Sequence, residues 1–76
     1  MIESLVLIEG KNVHEDALRI SLGNAKQLVI GKAPGFGVIL HIAATTSADL
    51  SNALHDFAKV KGVTGLVTLA LRTAGN

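Results

Sequence analysis

Residues 31–44 read GKAPGFGVILHIAA, with three glycines and the chain's only proline packed into 31–37. A phosphate-binding loop would need Gly-x-x-x-x-Gly-Lys followed by Ser or Thr, leading into a helix whose N-terminus supplies amides and dipole. No Lys-Ser or Lys-Thr pair follows Gly37, and the next residues, VILHIAA, are a β-branched apolar run. The stretch therefore reads as a tight turn of hairpin length joining strands at 26–32 and 37–44, with its glycines available for positive φ.

Working back from that hairpin, ESLVLIE (3–9) is a short apolar run between charges that Gly10 and Lys11 end. It reads as a strand, and because both of its faces are apolar it is expected to be covered on both sides. Asn12 with Glu15 three positions on forms a variant of the capping box. Val13, Ala17, Leu18, Ser21 and Leu22 follow at helical spacing, and Gly23-Asn24 supplies a stop.

Working forward, Thr45, Thr46 and Ser47 offer caps, with Asp49 three after Thr46. Leu50, Ala53, Leu54, Phe57 and Ala58 make one apolar face of a helix, with Lys59 and Lys61 near its C-terminal end and Gly62 as its stop. GLVTLALRT (65–73) reads as the last strand. Strict alternation puts Val67, Leu69 and Leu71 on one face and Leu66, Thr68 and Ala70 on the other; Ala74-Gly75-Asn76 is expected to fray beyond it. The order is β-α-β-β-α-β, the α+β, ferredoxin-like (split βαβ) arrangement, in which two helices cover one face of a four-stranded antiparallel sheet.

At 76 residues the chain forms one domain. A domain this size shields only about 60% of the surface its unfolded chain exposes. With no cysteine, neither disulfides nor thiolate zinc sites can add stability. Apolar residues make up 49% of the chain and charged ones 17%, so the helix-free side of the sheet is expected to be oily and covered by another copy, as a dimer or a larger ring.

The seven basic residues are scattered, the net charge is +1, and there is no Tyr or Trp, which speaks against direct nucleic-acid binding. No apolar run approaches the ~18 residues of a membrane span. The N-terminus carries two glutamates and no basic region, so it does not read as a signal peptide, and a cytoplasmic protein is expected.

Little in the chain suggests catalysis. His14, His41 and His55 lack metal-ligand spacing, and no Gly-x-Ser-x-Gly occurs. His55-Asp56 are neighbours that diverge by about 100° on a helix, and Glu15-Asp16 suit the negative charge favoured at a helix start. No enzyme activity and no cofactor are expected. His41 is the unusual residue, alternating in phase with Ile39 and Ala43 on one sheet face. It reads as an interface or core histidine, with the alternative of a polar group in a ligand site.

Residues 35–73 resemble the C-terminal half of the ligand-sensing (RAM) domain of Lrp/AsnC-type regulators: a glycine turn, an apolar strand, a capped helix, a GV turn at 62–63 and a strand ending in LALR. SLVLI at 4–8 is similar to that family's first strand. The resemblance implies a stand-alone module, without a helix-turn-helix, that dimerises through its sheet, assembles into rings and binds amino acids between subunits. Two features depart from the family: GFG lacks the usual following Asp, and LGNAKQL replaces the usual end of the first helix. The chain is also similar to NapD-type chaperones, which share SLV in the first strand and GV before the last. That likeness implies a twin-arginine signal peptide docking on the sheet. The expectation is a non-enzymatic, self-associating module that senses a small metabolite such as an amino acid at the subunit interface, with the signal-peptide chaperone as the alternative. The residues expected at the site are Gly35, Phe36, Gly37, His41, Leu66, Thr68 and Ala70.

Overall fold

The computed structural model describes residues 1–73, with the backbone alone for Leu28 and Val29; the tail 74–76 lies outside the described residues. The order is β1 (Ile2–Gly10), α1 (Glu15–Ile20), β2 (Lys26–Ala33), β3 (Gly37–Ala44), α2 (Ser47–Phe57) and β4 (Val63–Thr73). The fold is α+β. The strands form one sheet in the order β2-β3-β1-β4, and every adjacent pair is antiparallel.

β1 and β3 run in unbroken register from Ile2 opposite Ala44 to Glu9 opposite Gly37. Because side chains alternate along a strand, even-numbered residues of both strands share one side of the sheet. Both helices pack on that side, in a single core that joins Val6, Ile8, Leu40 and Ile42 of the sheet to Leu18 and Leu22 of the α1 region and to Leu50, Ala53 and Phe57 of α2. The opposite side carries no helix. β1 is therefore covered on one side, not on both: Val6 and Ile8 are fully buried while Leu5 is exposed.

α2 begins as its sequence predicts. Thr46 is the N-cap, in extended conformation, and its Oγ1 accepts the Asp49 N–H at 3.1 Å. Leu50, Ala53 and Phe57 turn into the core, while Ala58 is exposed at the C-cap. α1 begins differently. Asn12 has φ 58°, in the left-handed region, and so cannot take the extended geometry an N-cap needs. The cap position falls to His14, with no side-chain hydrogen bond, and the helix has six residues. Ser21 Oγ donates to the Ala17 carbonyl at 3.0 Å, and Leu18 is the buried anchor. Among the described residues, no helix is long and apolar enough to cross a membrane.

Candidate functional site

The residues singled out from the sequence separate into two places. His41 and Ala70 lie on the helix-free side, opposite each other across Leu5 of β1. Gly35, Phe36 and Gly37 lie at the end of the sheet, in the β2–β3 turn. Gly37 and His41 are four residue steps apart along the strand, about 13 Å at strand rise.

Leu66 and Thr68 do not share a face with Ala70. The β1–β4 register steps from Leu5 opposite Ala70 to Val6 opposite Thr68, leaving Leu69 as an extra residue in β4. Such a bulge shifts the alternation by one position. Leu66 and Thr68 therefore lie on the helix side, opposite Ile8 and Val6, and Leu66 packs against the core. Val67, opposite Leu7, joins Ala70 and Arg72 on the helix-free side. The buried hydroxyl of Ser4 donates to the Ala70 carbonyl at 3.2 Å, beside the interrupted ladder.

The helix-free side contains a polar network centred on Glu3, a residue at the margin of the apolar run and absent from the expected site. Its Oε1 lies 3.0 Å from His41 Nε2, and its Oε2 accepts from Arg72 Nε at 3.2 Å and lies 3.2 Å from Arg72 Nη2. An ionised carboxylate only accepts, so a hydrogen bond between these atoms requires the proton on Nε2. The network lines a shallow depression of about 280 Å³ with Leu5 and Ala70. The available sequence signal was phase: Glu3 lies two residues from Leu5 on the same face, and Arg72 two from Ala70. Neither relation crosses the bulge, which lies before Ala70.

Both carboxylate oxygens of Glu3 are engaged. The one nearby serine, Ser4, is buried on the other side of the sheet and bonded to the backbone. The network therefore places no nucleophile beside His41. No group of three or more His, Cys, Asp or Glu that could hold a metal occurs among the described residues.

Among the described residues, three of the seven exposed large hydrophobics lie on β4. This is an edge strand of 11 residues, paired only with β1. Val67, Leu69 and Leu71 retain 41%, 49% and 63% of their accessible surface, and every residue from Val67 to Thr73 is exposed. Edge strands are usually blunted by charge, proline, bulges or short length; this one has the bulge at Leu69 and a single charge, Arg72, but no proline.

The turn at 34–36 is held firmly. Phe36 N–H donates to the Ala33 carbonyl at 2.9 Å, and the Phe36 carbonyl accepts from Gly10 N–H at 3.0 Å. Gly35 has φ 84°, which glycine adopts without cost. Gly37 passes so close to β1 that a Cβ there would overlap the Ile8 carbonyl. The turn is structural, as the sequence indicates, and it also walls one side of an open cleft of about 810 Å³ facing the β1–α1 loop.

No protein-family model matches the chain, and no match is found among the curated proteins or the solved structures.

Proposed function

We propose that this chain is a non-enzymatic, ferredoxin-like module that self-associates through β4. The observation carrying this reading is the long, exposed apolar edge. Two copies of β4 related by a two-fold axis perpendicular to the sheet would pair antiparallel along this edge. Because Arg72 is the strand's single charge, any register centred away from it avoids the like-charge pair that would destabilise the ladder. The resemblance to RAM domains supports the same reading. In its sensing form, a small metabolite such as an amino acid binds beside His41 and Ala70 and acts by preferring one assembly state.

A second reading has its own observation. Carboxylates of β1 flank β4 on the helix-free side near both ends: Glu3 bonded to Arg72, and Glu9 close against Gly65. An extended basic peptide adding to this edge would find backbone partners along it and opposite charge near it. This is the occupant that the similarity to NapD-type chaperones implies.

Light scattering at micromolar concentration separates the two. Self-association gives a mass of at least twice the 7.9 kDa protomer, and Leu69→Lys returns it to the protomer mass. A wild-type protein that stays strictly monomeric overturns the first reading. Retention of an immobilised basic signal peptide, abolished by Leu69→Lys, then supports the second.

A further inference from the structure

The open cleft of about 810 Å³ lies between the β1–α1 loop and the β2–β3 turn, and neither His41 nor any residue of β4 lines it. Its volume falls within the roughly 300–1,000 Å³ typical of small-molecule sites. Both walls are anchored: the Gly10 N–H to Phe36 carbonyl bond ties the turn to the end of β1.

Three side chains of the lining stand out. Lys11 comes from the β1–α1 loop and Lys32 from β2, and neither side chain makes an ion pair or hydrogen bond among the described residues. Phe36, one of the chain's two aromatic residues, is 68% exposed although its backbone is bonded on both sides. Its exposure is thus imposed by a fixed turn. Two carboxylates also line the cleft. Asp16 is answered by Arg19 at 3.1 Å, which leaves Glu15 as the one unpaired acid against two lysines.

Two like charges lining one cavity repel each other, and an anion between them relieves that repulsion. An aromatic face beside them offers a surface to a flat apolar group. We propose that this cleft binds a small organic anion with a flat apolar body, its carboxylate or phosphate held by Lys11 and Lys32 and its body laid against Phe36. The site is complete within one chain and does not depend on self-association.

Titration of the ¹⁵N-labelled full chain tests this with benzoate and phenyl phosphate as probes, benzamide as the neutral control and inorganic phosphate as the bare anion. Both aromatic anions should give saturable amide shifts at residues 10–16 and 32–37. Benzamide should bind at least about tenfold more weakly, since losing a charged hydrogen bond costs roughly 1.5–3 kcal/mol. The Lys11→Ala/Lys32→Ala double variant should lose about the same factor while keeping a dispersed, folded spectrum, and Phe36→Ala should weaken the aromatic anions but not inorganic phosphate. A preference between benzoate and phenyl phosphate supports the proposal and identifies the headgroup. Equal binding of benzamide, shifts centred on β4, or no saturable shift at millimolar probe would each overturn it. A monomeric protein in the scattering experiment would leave this result unaffected.

Discussion

On the helix side of the sheet, Val6, Ile8, Leu40 and Ile42 are completely shielded, while in β4 Val67, Leu69 and Leu71 remain exposed. The residue types are similar and the strands adjacent. What differs is cover. With strand order β2-β3-β1-β4, a six-residue helix and an eleven-residue helix shield β1 and β3 but leave the outer half of β4 bare. Surface of that kind is stable in water only as a marginal excess, and it favours association by about 25 cal/mol per Å² removed from solvent. The covered region thus accounts for why the chain folds, and the bare region for what it is proposed to bind.

The contrast is sharpest between the two phenylalanines. Phe57 is fully buried where α2 meets the sheet, and Phe57→Ala should cost about 3–5 kcal/mol, a large share of the stability of so small a domain. Phe36→Ala, in the exposed turn, should change stability by less than about 0.5 kcal/mol. Urea denaturation of the two variants side by side measures the difference, and equal losses would break the comparison.

A smaller effect on the covered side is expected from Thr46→Ala. Removing the hydroxyl that accepts the Asp49 N–H should lower stability by about 1 kcal/mol, and Thr46→Ser should restore most of it. On the bare side, Glu3→Gln removes the charge that Arg72 and His41 share. Because Arg72 is mostly exposed, the loss should stay below about 1 kcal/mol at low salt and shrink further near 1 M salt. A large, salt-insensitive loss would show that the network is structural in the way the core is.

Deletion of Leu69 should also change stability little. Without it, Thr68 still faces Val6 and Ala70 still faces Leu5, so both flanking registers survive. Stability should move by less than about 1 kcal/mol while association weakens. Cross-strand contacts in the NMR spectrum of the deletion variant check the register directly.

Much of this architecture is local and could be read from the chain. β3 spans residues 37–44 as its β-branched run and glycine boundary indicate, and Thr46 caps α2 because its hydroxyl needs only the amide three residues on. The start of α1 could not be read so simply: Asn12 can cap a helix or take left-handed geometry, and leaving β1 requires the second. The same holds for the candidate site. His41 was placed correctly by alternation along its own strand, whereas Leu66 and Thr68 were assigned to the wrong face because nothing in GLVTLALRT marks Leu69 as a bulge.

Hydrophobic periodicity, turn glycines and a capping hydroxyl act within a few residues, so they determine where strands and helices begin and end. The Glu3–His41–Arg72 network spans |i−j| of 38 and 69, and it exists only because antiparallel pairing sets β3 and β4 on either side of β1. Tertiary structure alone decided which carboxylate meets the histidine, which face Ala70 takes, and that the cleft at Phe36 lies apart from both. Each depends on strand register, and a single extra residue in an edge strand is enough to change it.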